Sequence, residues 1–222
     1  MLFNRNGFKF GNQIEQPTIE EVKNTPALWN ASLDDALKFG GDLTREAIGA
    51  LNLKFDKRYI IVDTKIHMLM PGFYPAIPGW HTDGVPRGKE LNPTVKGVPN
   101  IQAQEEMDTT RFHLLVTGEG CLTNFIDEKV TLKVPDKPNT NLYKMISDQV
   151  KEREDELKVI EAPSCTAVEF DWWELHTGVK AKKHEWRYLI RVTETDHFAP
   201  QTDLRKIIRT QQQVYAPESY GW

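Results

Sequence analysis

The chain has 222 residues, 39% of them hydrophobic and 10% aromatic with six tryptophans, and its 28 basic and 32 acidic side chains leave a net charge of −4. A chain of that length and composition builds a substantial core, which excludes a disordered chain, a collagen-like fibre and a small disulfide-stapled scaffold. The slightly acidic balance argues against a general grip on nucleic-acid backbone and leaves such contacts to a local basic patch.

The first 55 residues read as short helices forming a flanking layer. Pro17 opens a run with acids in its first turn, Ser32 to Phe39 lies between an N-cap serine and Gly40-Gly41, and Asp42 begins a third candidate. The opening segment has no apolar run of signal-peptide length, and the two cysteines, Cys121 and Cys165, form no CxxC pair. A cytoplasmic protein with reduced thiols is therefore expected. The apolar stretch from Ile66 to Trp80 is broken by Pro71, Pro75 and Pro78, so no membrane helix is expected.

From Tyr59 the texture turns β-like. Candidate strands are Tyr59 to Val62, Lys65 to Met70 and Arg111 to Thr117, with Gly118-Glu-Gly120 read as a hairpin turn and Cys121 to Ile126 as its return strand. Residues 84–108 are polar and interrupted by Pro and Gly, the pattern of a functional loop or lid. Leu142 to Leu157 carries one apolar face and reads as a helix, followed by strands over Cys165 to Phe170 and Trp186 to Thr193, and a last helix over Leu204 to Val214. The expected organisation is one domain over 1–222, mainly β with flanking helices. It has a helical layer over 1–55, a β core over 56–200 and a C-terminal tail over 201–222.

The chemistry concentrates in His81-Thr-Asp83, a distant His176, and Arg187 and Arg191. Two residues apart on an extended segment, His81 and Asp83 point the same way and can reach one ion. His176 is the best third ligand. Two imidazoles and one carboxylate on one face suit Fe(II), because they leave positions open. On one strand Arg187, Leu189, Arg191 and Thr193 share a face, and two arginines beside a metal ask for anions such as the carboxylate of a keto acid. His67 and His113 fall in strands and read as core or pocket wall. His184 reads as a solvated loop residue, and His197 has no assigned partner.

The ordered set of HxD, a distant His, and an Arg 10 to 15 residues beyond it resembles the Fe(II)/2-oxoglutarate-dependent dioxygenases over roughly Tyr59 to Thr195. Pro78-Gly-Trp-His-Thr-Asp-Gly and the segment from Ala162 to Gly178 are similar to the two metal-bearing segments of phytanoyl-CoA-hydroxylase-like and prolyl-hydroxylase-like members. The resemblance implies a double-stranded β-helix (a cupin-like jelly roll), with His81, Asp83 and His176 on iron. It implies Arg187 on the distal carboxylate of 2-oxoglutarate, with a hydroxyl from Thr123 beside it. Arg191 would assist there or hold an anionic substrate, and the pattern fits either arginine as the clamp. Trp80 and Trp173 are expected either to pack in the core or to wall the substrate pocket. An intact Asp83 disfavours the halogenase variant. The expected partner is a small-molecule substrate, with a nucleotide or nucleobase left open, and nothing in the sequence sets the oligomeric state. Two rival readings are a cupin-like metal enzyme that does not use 2-oxoglutarate and a non-catalytic jelly-roll binding module.

Overall fold

The computed structural model describes residues 1–88 and 97–209. Strands β1 (Leu2–Phe3) and β2 (Lys9–Gln13) precede helix α1 (Ile19–Asn24), strands β3 (Ala27–Leu28) and β4 (Ala31–Ser32), and helices α2 (Leu33–Phe39) and α3 (Gly41–Ala50). The long strand β5 (Tyr59–Leu69) leads to α4 (Ile101–Gln104), β6 (Arg111–Val116), β7 (Thr123–Ile126), β8 (Val130–Thr131) and α5 (Leu142–Lys151). Then come β9 (Val159–Glu161), β10 (Thr166–Asp171), β11 (His176–Gly178), β12 (Glu185–Thr195), α6 (Leu204–Ile207) and β13 (Ile208–Arg209). None of the described helices is long and apolar enough to cross a membrane.

The N-terminal helices start where their caps predict. The Thr18 hydroxyl accepts from Glu21 N–H at 3.2 Å while the Glu21 carboxylate takes Thr18 N–H at 2.7 Å, and Ser32 Oγ accepts from Asp35 N–H at 3.1 Å. The same segment is not only helical. β2 and β4 form the two edges of a six-stranded antiparallel sheet ordered β2-β10-β6-β12-β5-β4. β2 is exposed along its length, as an edge strand can be, and its sequence KFGNQ shows little of the alternation that marks a half-buried strand.

β12 lies between β5 and β6. Arg187, Leu189 and Arg191 stand opposite His67, Lys65 and Asp63 on β5, and Leu189 and Arg191 stand opposite Val116 and Leu114 on β6. Because side chains alternate, these residues share one face of the sheet. Tyr188, Ile190 and Val192 take the other, where they pack with Leu43, Ala47 and Ile48 of α3. The arginine-bearing face meets a three-stranded sheet ordered β11-β7-β9, with the Phe125 and Phe170 rings 5.2 Å apart between the two sheets.

Four expectations change. β5 is one strand through Asp63 and Thr64, because both polar side chains are satisfied: Asp63 Oδ1 accepts from Asn30 N–H and Thr64 Oγ1 from Leu28 N–H, each at 2.8 Å. Gly118 to Gly120 is not a hairpin turn. β6 pairs with β10 and β12, whereas β7 pairs with β11 and β9, so the turn carries the chain from one sheet to the other. The Glu185 carboxylate holds that turn by accepting from Glu119 and Gly120 N–H at 3.0 and 2.9 Å, and Gly118 takes a φ of +97°. The helix expected to reach Leu157 stops at Lys151. Glu152, Glu154, Asp155 and Glu156 crowd its C-terminal end, where the helix dipole disfavours negative charge, and a 3₁₀ turn (Glu154–Glu156) follows. The last helix spans only α6 before β13 pairs with β3. Residues 89–96 of the expected lid and 210–222 of the tail lie outside the described residues.

Candidate metal centre

His81 and His176 face each other across a two-residue antiparallel bridge, each N–H donating to the other's carbonyl at 3.0 Å. The pairing sets their ring centroids 4.6 Å apart. Each Nδ1 lies against a backbone carbonyl two residues earlier, Gly79 O at 2.9 Å and Glu174 O at 3.0 Å. A carbonyl only accepts, so Nδ1 carries the proton in both rings and Nε2 presents its lone pair. Both Nε2 atoms face Asp83: His81 Nε2 is 4.0 Å from Oδ1 and His176 Nε2 is 3.8 Å from Oδ2. The three donor atoms lie within 4.8 Å of one another, so they are placed to ligate one metal ion. Bonds of ~2 Å to a shared ion need only a small inward adjustment of the side chains.

Gly84 lets the chain turn away directly after Asp83. Its φ is +77°, and a Cβ there would come within 2.9 Å of the Phe112 ring. Burial, then repulsion from His81, pushes the His176 pKa down to about 4, which keeps its lone pair free for a metal. Burial works to raise the Asp83 pKa, but Arg191 and the two imidazoles outweigh it and hold the carboxyl well below the usual range. Glu174, whose carbonyl orients His176, has its own carboxyl pushed up to about 7 by burial and by Asp171.

His81, Asp83 and His176 line a cavity of about 240 Å³ together with Thr123, Arg187 and Arg191. Arg191 is committed to two carboxylates: Nη1 donates to Asp83 Oδ2 at 2.7 Å and Nη2 to Asp63 Oδ2 at 3.0 Å. It therefore orients the Asp83 carboxylate. Arg187 is different. It is 1% exposed, its Nε donates to Cys121 O at 2.7 Å, and its buried Nη1 has no hydrogen-bond partner. Thr123 is buried on β7 and lines the same cavity.

Trp80 and Trp173 lie outside the cavity lining. Trp80 Nε1 donates to Glu154 Oε1 at 3.3 Å, and Trp173 packs edge-on against Phe3 under the Arg5 guanidinium. Trp172 stacks on His197, whose Nε2 donates to Asp108 O at 2.5 Å. His113 Nε2 donates to the buried Glu194 carboxylate at 2.8 Å, away from the metal donors. His67 is buried opposite Arg187, and His184 approaches the Met68 sulfur at 3.1 Å. Trp29, Asp63 and Lys65 do line the cavity, and sequence reasoning missed them. The available signal was the spacing Asp63, Lys65, His67, which puts polar side chains on one face of an otherwise apolar strand.

Asp63 and Asp83 against Lys65, Arg187 and Arg191 leave the cavity wall one positive charge in excess, and a divalent ion would make that three. Such a wall favours a dianionic ligand. No protein-family model matches the chain and no curated protein matches it, so the centre is read from its own geometry.

Proposed function

We propose that the chain is a non-haem Fe(II)- and 2-oxoglutarate-dependent dioxygenase that hydroxylates a small molecule and releases succinate and CO2. The observation that carries this reading is the buried, unpartnered Nη1 of Arg187 in the same cavity as three convergent metal donors. A buried guanidinium without a counter-ion is costly unless an anion arrives to pair with it. The fold supports the reading too. The order β5-β12-β6-β10 in one sheet, facing a ladder that runs from the His81 bridge through β11 and β7 to β9, is the pairing expected of a double-stranded β-helix.

When bound, ferrous iron with 2-oxoglutarate supplies O2-dependent hydroxylation of a C–H bond coupled to decarboxylation of the keto acid. The chain's residues make that possible as follows. His81, Asp83 and His176 would hold iron through two imidazole nitrogens and a carboxylate, a donor set suited to Fe(II). Arg187, with the Thr123 hydroxyl nearby, binds the far carboxylate of the keto acid. Arg191 fixes the orientation of Asp83, while Asp63 balances the guanidinium's charge. Leu114, Phe170 and Leu189 give the cavity an apolar wall that limits water. A cupin-like enzyme without a keto acid has no use for the buried Arg187, and neither has a jelly-roll module whose metal is only structural.

Anaerobic reconstitution with Fe(II) and 2-oxoglutarate tests the proposal. It predicts a visible charge-transfer band, succinate release on adding O2, and loss of both in His81→Ala with an unchanged circular dichroism spectrum. Full succinate release by that variant overturns it.

A further inference from the structure

Three cations line the cavity, and two have assigned partners. Arg191 pairs with Asp63 and Asp83, and the reading above gives Arg187 to the co-substrate. Lys65 remains. It sits in mid-strand on β5 opposite Leu189, between the Arg191–Asp63 and Arg187–His67 pairs, and its side chain lines the cavity. It has no hydrogen bond or ion pair among the described residues, and burial, then the nearby Arg191, lowers its pKa. An ammonium group held in that position without a partner is out of keeping with a purely structural strand residue, for which an apolar side chain would pack better.

Beside it stands Trp29, 43% exposed and yet part of the cavity lining. Its backbone is pinned on both sides. Leu28 N–H donates to Thr64 Oγ1 and Asn30 N–H to Asp63 Oδ1, each at 2.8 Å, which fixes this segment against β5, and the indole shares the cavity lining with Lys65. Trp29 N–H itself donates to Ile207 O at 2.8 Å. The Arg209 guanidinium lies 5.5 Å from the indole centroid. A partly exposed aromatic ring in the lining of a cationic cavity suits a ligand with a flat apolar body and a negative end.

We propose that Lys65 and Trp29 form the subsite of the primary substrate. That substrate is a small carboxylate- or phosphate-bearing molecule whose flat body lies on the indole and whose anionic group meets the Lys65 ammonium. The proposal rests on the dioxygenase reading for the role of Arg187, but it is tested by binding and needs no turnover.

The protein is loaded anaerobically with Fe(II), saturated with N-oxalylglycine, and titrated by calorimetry with benzoate, phenyl phosphate and neutral benzamide. At least one anion is expected to bind with Kd at or below about 1 mM, with benzamide at least about tenfold weaker. The preferred anion identifies the acidic group. Lys65→Met weakens that anion by about 10- to 100-fold, Lys65→Arg restores most of it, and Trp29→Ala weakens both anions. The affinity of Lys65→Met for N-oxalylglycine changes by less than about threefold. Absence of anion binding up to about 10 mM overturns the proposal, as does equal binding of benzamide or an unchanged anion affinity in Lys65→Met. A large loss of N-oxalylglycine affinity in Lys65→Met also overturns it, because that assigns the lysine to the co-substrate. If wild-type protein binds the anion through Lys65 but does not bind N-oxalylglycine, the subsite stands and the dioxygenase reading fails.

Discussion

Replacing Arg187 by methionine is expected to stabilise the metal-free protein while removing its grip on 2-oxoglutarate. The guanidinium is 1% exposed, makes one hydrogen bond from Nε to Cys121 O, and leaves Nη1 unpartnered. Exchanging buried ionic groups for apolar ones of similar volume is often stabilising by about 1–4 kcal/mol. Against that, the variant strips the Cys121 carbonyl of its donor, which costs about 1–3 kcal/mol. At the midpoints of these ranges the balance is about 0.5 kcal/mol in favour of methionine, a rise in Tm of roughly 1–2 °C for a chain of this length. Loss of a charge-assisted clamp weakens 2-oxoglutarate binding by about 10- to 100-fold. Thermal denaturation in EDTA measures the first effect, and anaerobic titration of the Fe(II) protein with 2-oxoglutarate measures the second. A variant less stable than wild type that binds 2-oxoglutarate normally would refute the reasoning, since Arg187 would then be a structural residue.

Three further outcomes follow from the same geometry. Arg191→Met leaves Asp63 and Asp83 without their shared cation. With the arginine side chain 31% exposed, the loss is discounted to about 2–3 kcal/mol, and bound metal reduces it by replacing the charge at Asp83. Equal destabilisation of metal-free and metal-loaded protein counts against that role. A divalent metal at about one hundred times its Kd adds about 2.7 kcal/mol, roughly 5–10 °C in Tm, and the shift vanishes in His176→Ala and Asp83→Ala; a shift that survives both variants places the ion elsewhere. The pH profile of the metal-free protein contains two opposed contributions. His176, held at about 4 against 6.5, gives stability that is complete above pH 6.5 and lost as the pH falls towards 4. Glu174, held at about 7 against 4.5, gives stability that is complete below pH 4.5 and lost as the pH rises towards 7. Between 4.5 and 6.5 the two largely cancel. Glu174→Gln unmasks a loss on acidification of up to about 3 kcal/mol in urea denaturation, and a flat profile in that variant contradicts the assignment.

Much of the site was legible because its motifs are local. His81 and Asp83 sit two apart on extended chain, and His176 follows a strand ending at Asp171, so their chemistry could be read without knowing what pairs with what. The alternation that puts Arg187 and Arg191 on one face of β12 is likewise a property of the strand itself. What could not be read was register. Only the pairing of β12 with β5 brings Asp63 opposite Arg191 and Lys65 opposite Leu189, and that pairing joins residues more than a hundred positions apart. Arg191 consequently looked free for an anion, although Asp63 and Asp83 occupy it. The same gap explains Gly118 to Gly120, whose turn chemistry is genuine but does not say which sheet the next strand joins. Trp80 and Trp173 were attractive because they lie near the candidate donors in sequence, yet Trp80 directly precedes His81 and so points to the opposite face, and Trp173 sits in the turn after β10, where its ring packs on Phe3. Trp29 reaches the cavity from a segment whose composition gave no hint of it.

Anomalous diffraction at the iron edge from crystals of the Fe(II)-loaded protein tests the central claim most directly. The account predicts one strong peak per chain, roughly 2.0–2.2 Å from His81 Nε2, His176 Nε2 and an Asp83 carboxylate oxygen. A peak bound by other side chains, or none at these three under saturating iron, would contradict it.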